Sequence, residues 1–288
     1  MFIQINQLNK HQLTELDDLV AECKKKDSNT IPIYKHLLSQ QRNKPCNVLF
    51  YHQQHLVGFI SAFFFYETAC EIVLMIAPAF RKQGIALKLL AKLLPLFRTY
   101  FINTLIFPVA HGLNEPWISN YNFHYQHSEY EMQRLGRQGI PHQQNVLQMR
   151  LATSSDLEFI CTIDKACFPQ QTDTTMHLQA LLADKNYSII LALLNDVIIG
   201  KAHLHWLEDN VRLTDIAITP IHQGRGFGRS LISYCINYAI RQGKSAIILD
   251  VETKNKKALS LYTNLGFKIT NACDYWLIPI NAFSGQFT

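Results

Sequence analysis

The chain lacks several features that would assign it to a class at once. It has no low-complexity tract and no C-x-x-C pair, and its seven cysteines (Cys23, Cys46, Cys70, Cys161, Cys167, Cys235 and Cys273) form an odd set. That pattern argues against a disulfide framework and fits a reducing, cytoplasmic compartment. Charge of one sign is not concentrated either. Residues 1–145 hold 14 Lys and Arg against 10 Asp and Glu, and the remainder holds 13 against 12. So even a balance speaks against a nucleic-acid partner, and Lys24, Lys25 and Lys26 read as a solvated helix end. No long uncharged apolar run is present: the most apolar stretch, Val57 to Ala79, carries Glu67 and Glu71 and reads as two strands, not a membrane span. Met1 to Asn6 lacks the basic-then-apolar layout of a signal peptide, so no membrane insertion is expected.

What is present is the composition of an ordinary folded protein, 48% hydrophobic and 17% charged over 288 residues. That length suits one large domain or two smaller ones. A weak internal repeat favours two. Shifting the chain by 142 positions puts Val57-Gly58 on Ile199-Gly200, Ile76 on Ile218 and Pro78 on Pro220. Arg81, Gly84 and Ala86 then fall on Gln223, Gly226 and Gly228, and Leu89-Leu90 on Leu231-Ile232. The expected domains are 1–140 and 146–288, separated near Arg137 to Asn145, where Gly139, Pro141 and several glutamines interrupt the pattern. A plain surface loop is the alternative for that segment.

Each copy alternates helical and strand periodicity, which predicts a mixed α/β fold. In the second copy, strands Ile189 to Leu194 and Val197 to Trp206 flank an Asn195-Asp196 turn. A strand Val211 to Thr219 follows, then a helix from Gly226 to about Gln242, a buried strand Ala246 to Val251, a helix Lys256 to Leu265 and a last strand near Tyr275 to Ile280.

The segment Gln223-Gly224-Arg225-Gly226-Phe227-Gly228 lies between an apolar strand and an apolar-faced helix. Glycines there let several N–H groups converge at a helix N-terminus, a place that attracts phosphate. A dinucleotide fold would need glycine where Arg229 stands, and the Lys-Ser/Thr of a P-loop is absent. A structural turn is the plain alternative.

The spacing Q/R-x-x-G-x-G/A resembles the GNAT superfamily of N-acetyltransferases. Three further blocks carry the same resemblance: Thr214 to Pro220, Leu249 to Asn255, and Ala258, Tyr262, Gly266 and Phe267. The resemblance covers essentially residues 146–280 and implies two tandem GNAT-like domains, each a mixed, mostly antiparallel sheet flanked by helices. It also implies acetyl-CoA as cofactor. The backbone of Gln223, Gly224, Arg225, Gly226, Phe227 and Gly228 would then hold the pyrophosphate, and the strand Ile216, Ala217 and Ile218 the pantetheine arm. Asn255 would bind that arm, and Tyr262 would protonate the leaving thiolate. Asp215, Asp250 and Glu252 are candidate bases, or plain surface carboxylates. His203 and His205 share a strand face without a third metal ligand, so they read as satisfied strand histidines, and no metal is expected.

The first copy keeps the bend, Arg81-Lys82-Gln83-Gly84-Ile85-Ala86, as a possible second cofactor site. The family's Gly-Phe is Asn122-Phe123 there, and Ile118 stands where the tyrosine would be. Tyr121 to Met132 resembles a terminal GNAT hairpin. A divergent first domain beside a catalytic second one resembles the tandem GNAT architecture of mycothiol synthase. The implied activity is acetyl transfer to a primary amine of a small molecule, peptide or protein; the competing reading is an acyl-CoA-binding regulatory protein. Cys23 to Lys44 could cover a substrate cleft. Neither the acceptor nor the oligomeric state is written in the sequence.

Overall fold

The computed structural model describes residues 1–113, 118, 121–141, 146–168 and 175–283. Its contacts divide the chain into two compact units. The first is Met1–Glu129 with Asn271–Thr288, and the second is Tyr130–Thr270.

The first unit runs β1 (Phe2–Ile5), α1 (Lys10–Asp27), α2 (Lys35–Leu38), β2 (Asn47–His52), β3 (His55–Phe63), β4 (Ala69–Ile76), α3 (Ile85–Thr99) and β5 (Thr104–Ala110). Asn9 caps α1 in a capping box with Gln12, and the three lysines end it as exposed groups at its negative pole. Neighbouring strands pair antiparallel except β4 and β5, which run parallel. β3 is buried on both faces because α3 covers one side of the sheet and α1 the other. That explains the unbroken apolar run that could otherwise suggest a membrane segment. Among the described residues no helix is long and apolar enough to cross a membrane.

The second unit repeats the plan with β7 (Leu147–Leu151), α4 (Leu157–Cys167), α5 (Thr175–Ala183), β8 (Tyr187–Leu194), β9 (Val197–Trp206), β10 (Val211–Ile218), α6 (Phe227–Arg241), β11 (Ala246–Glu252) and α7 (Lys256–Asn264). Asn195 and Asp196 both take positive φ between β8 and β9, the geometry that a two-residue hairpin needs. Leu231, Cys235, Ile236 and Ala239 of α6 pack on Leu213, Ile247 and Leu249 of the sheet.

Two long strands, β6 (His124–Leu135) and β12 (Lys268–Pro279), belong in part to each unit, because the units divide between Glu129 and Tyr130 and between Thr270 and Asn271. In the first unit β12 pairs antiparallel with β5, from Cys273 opposite Ala110 to Pro279 opposite Thr104, and Ile278 is fully buried there. The segment resembling a terminal hairpin is therefore one continuous strand after a turn at Tyr121-Asn122, since its partner is β12 and not a neighbouring turn of chain. The proposed boundary at Arg137 to Asn145 follows the sequence repeat; its residues 142–145 lie outside those described.

A chain ended at Thr270 removes Cys273, Tyr275 and Ile278 from the first unit, and burying each large apolar side chain is worth about 1.5–3 kcal/mol. Hydrogen exchange should then show lost protection in β5 while β8 and β9 keep theirs. Retained protection in β5 would contradict this strand assignment.

Candidate active site

β10 and β11 are joined over only three residue pairs, Val211–Leu213 with Ile247–Leu249, and then part. On its other side β10 meets β9 with a bulge. Thr214 faces His203 and Ala217 faces Lys201, so Asp215 and Ile216 together oppose Ala202. Asp215 has φ 48°, in the left-handed region that few non-glycine residues adopt. Gly200 makes this approach of the strands feasible: a Cβ there would lie 2.4 Å from Ile218 Cδ1 and 2.7 Å from the Ala217 carbonyl oxygen. The bulge closely follows Leu213, the last β10 residue paired with β11, and so lies beside the gap between these strands.

The glycine bend closes one end of that gap. Gly224 and Gly226 have φ 75° and 82°, and a Cβ on either would meet nothing within 4 Å. Gly226 is also the N-cap of α6 and has no side-chain cap, leaving the first-turn amides of a 15-residue helix for a ligand. Gly228 differs: it lies inside the helix with ordinary backbone, 3.9 Å from Leu261 Cδ2 at its Cβ position. Gln223 donates from Nε2 to the Ile218 carbonyl at 2.8 Å, tying the bend to the end of β10, and Arg225 is exposed. This open cradle of amides suits a diphosphate, and Ile216, Ala217 and Ile218 lead from it to the bulge.

Tyr262 projects from α7 into the core of this unit, edge-on to Phe267 at 6.0 Å. Burial pushes its phenol up to about 12, so it stays protonated at neutral pH. Its hydroxyl has no hydrogen-bond partner among the described residues. Asn255 caps α7, accepting from the Ala258 amide at 3.1 Å, which leaves its side-chain NH2 for another acceptor. The candidate carboxylates separate. Asp250 is ion-paired with Arg212, which also holds Glu131 at 2.8 Å. Glu252 is exposed, without an ion-pair partner among the described residues. Asp215 stands on the bulge, with Oδ2 3.5 Å from His203 Nδ1. His203 is not the satisfied histidine expected: its Nδ1 is buried with no hydrogen bond.

Residues 13–125 and 157–267 both match the acetyltransferase (GNAT) family. The chain belongs to that family. Among curated proteins, it is similar to the L-methionine sulfoximine/L-methionine sulfone acetyltransferase of Salmonella typhimurium, 34% identical over 89 residues, 29% of this chain and 52% of that protein. The chain spans about half the length of the first curated relatives it matches. Among solved structures, a GCN5-related N-acetyltransferase from Sphaerobacter thermophilus superposes with TM-score 0.82 at 13% identity, over 97% of this chain and 96% of that one. A tandem GNAT protein from the clavulanic acid biosynthesis pathway gives 0.70 at 12%, over 97% and 98%. At such identities the structures establish the fold: two GNAT repeats.

The first GNAT repeat shares the frame and differs from the second in detail. β4 and β5 also part after three pairs, Ala69–Glu71 with Thr104–Ile106. Yet β3 and β4 stay in unbroken register from Gly58 opposite Ile76 to Phe63 opposite Glu71, with no bulge. Ile118 is buried where the second repeat has its tyrosine. Arg81 donates from Nε to the Ile76 carbonyl, as Gln223 does to Ile218, and forks onto Asp27 at 2.8 and 2.6 Å. Gln83 bonds the Ala79 carbonyl. A cavity of about 540 Å³ lies beside this bend, bounded by Arg81, Lys82, Gly84, Ile85 and Ala86 and floored by Ile76 and Phe107. Cys23 and residues 29–31 of the long first segment line it too.

Two related residues escaped sequence reasoning. Cys23 and Cys167, each near the end of the first helix of its repeat, donate Sγ–H to the Ile76 and Ile218 carbonyls at 3.4 and 3.5 Å. Their spacing of 144 differs from the 142 of the repeat, which hid the match.

Gly200→Ala forces a methyl against backbone and should cost roughly 1–3 kcal/mol. Gly58→Ala meets only side-chain atoms at 3.3 Å and should cost less. Urea midpoints compare the two; equal losses would count against the close β9–β10 approach.

Proposed function

We propose that the chain is an acetyl-CoA-dependent N-acetyltransferase whose second repeat carries the reaction, with acceptor amines attacking the thioester directly. The observation that carries this reading is the bulge at Asp215 beside the glycine bend, which has no counterpart on β4. Support comes also from the family match and from the relative in Salmonella typhimurium, named for acetylating an amino-acid analogue. We infer a cytoplasmic enzyme from its seven unpaired cysteines.

Acetyl-CoA, when bound, supplies the acetyl thioester. The amides of Gln223 through Gly228 and the positive pole of α6 would hold its diphosphate. The main chain of Ile216 to Ile218 would pair with the pantetheine arm as an added strand does, and the Asn255 side chain would hold the same arm. Asp215 would draw in a cationic amine and take one of its protons, which passes to solvent. A bulge N–H would donate to the acetyl oxygen as the amine attacks. Tyr262 would give its proton to the leaving sulfur and be recharged by the amine's second proton. Asp250 is tied to Arg212, which leaves Glu252 as the second carboxylate at the mouth of the gap.

The first repeat serves a different purpose. Its cavity fits cofactor retention without transfer, because Ile118 stands at the position of Tyr262 and Asp27 already neutralises Arg81. An acyl-CoA-sensing role for that repeat is the second reading.

A panel of primary amines, scored by CoA release, tests the activity. Tyr262→Phe keeps the ring and removes only the hydroxyl, so the chemical step should slow about 100- to 10,000-fold with unchanged CoA affinity. Gly226→Val places a β-branched residue at φ 82° in the cradle and should abolish calorimetric CoA binding to the second repeat. An unchanged chemical rate in the first variant, or unchanged affinity in the second, would refute the corresponding role.

A further inference from the structure

A file of buried charges ends on Asp215, and the sheet does not require it. Lys201 on β9 is fully buried. Its Nζ lies 2.6 Å from Asp164 Oδ1 on α4 and 2.9 Å from His203 Nε2, two residues along the strand and on the same face. Taking an ammonium and a carboxylate out of water is expensive, and apolar residues of similar volume often serve a core as well. Stability alone therefore does not explain the pair.

The bonding fixes the state of the histidine. An ammonium can only donate, so Nε2 is the accepting nitrogen and Nδ1 carries the ring proton. Burial first, and then the Lys201 charge, push His203 well below its ordinary value, so the ring is neutral. The Nδ1–H is buried, has no hydrogen bond, and has Asp215 Oδ2 as an ion-pair neighbour, 3.5 Å from the nitrogen. Such contacts commonly tighten once a reacting group arrives. His203 cannot take the proton itself, because Lys201 occupies its only lone pair.

The geometry points to Asp164, Lys201 and His203 as positioning residues that aim the Asp215 carboxylate at the acceptor amine. This rests on the acetyl-transfer reading of the second repeat. Asp164 and Lys201 cancel, His203 is neutral, and Asp215 leaves one uncompensated negative charge at the cleft. The file thus favours a cationic amine over a neutral or anionic acceptor. After Asp215 takes a proton from the ammonium, the carboxyl is neutral, and the freed amine holds the lone pair that forms the new C–N bond.

Two measurements on the full chain test this. Long-range 1H–15N correlation of the imidazole needs no acceptor and should find the His203 proton on Nδ1, with Nε2 unprotonated. The second measurement uses an amine identified in the panel. His203→Asn places an amide N–H near the Nδ1 position, and His203→Gln places it near Nε2. The Gln variant should lose roughly 100-fold in kcat because a misaimed group costs that much, while the Asn variant recovers most of it. KM for acetyl-CoA should hold in both. Equal rates for wild type and the Gln variant, or a proton on Nε2, would overturn the file. If the wild type turns over no amine, the acetyl-transfer reading fails, and the tautomer measurement alone still decides the hydrogen-bonding order.

Discussion

Strands β10 and β11 share only three hydrogen-bonded pairs before they diverge. A parallel pair that stops pairing leaves unsatisfied backbone N–H and C=O groups facing a gap, which must be met by water, side chains or a ligand. Everything at the candidate site answers that constraint. The Ile218 carbonyl is taken by Gln223 and Cys167, and the bend then delivers the free amides of α6 to the same gap. Gly200 allows β9 close enough for the bulge, and the bulge brings Asp215 to the edge of the opening. The open bend, the bulge and the position of Asp215 are in this sense consequences of one unfinished ladder.

The same unfinished ladder occurs in the first repeat with a different outcome. There β4 keeps its register with β3, and a cavity lies where β4 and β5 part. Gly58 meets only flexible side-chain ends at 3.3 Å, whereas Gly200 would clash with backbone. Two copies of one frame thus differ less in architecture than in a two-residue irregularity and one hydroxyl. Arg81 stands where the second repeat has a neutral glutamine, and its fork with Asp27 cancels the charge it would otherwise offer an anion.

Polar groups in the second unit are arranged by burial rather than by number. Asp250 lies in an exposed network with Arg212 and Glu131, where solvent weakens each interaction. Asp164, Lys201 and His203 lie inside, where direction counts for more than charge, since each must find a partner of the right donor type.

Local chemistry let the sequence alone determine a good deal. The glycine bend and the Asn195-Asp196 turn are short-range patterns, and each lies between the elements that periodicity places around it. No local pattern marks the pairing of Lys201 in Val197–Trp206, because Asp164 lies on another element 37 residues away. Which units the ends of β6 and β12 join was likewise decided by tertiary pairing. A strand's period tells which face is apolar, while its hydrogen-bond partner depends on edges presented by residues far along the chain. The bulge belongs to the same class. Nothing in Thr214-Asp215-Ile216 requires it until Gly200 and Lys201 of β9 set the register against which the extra residue must fit.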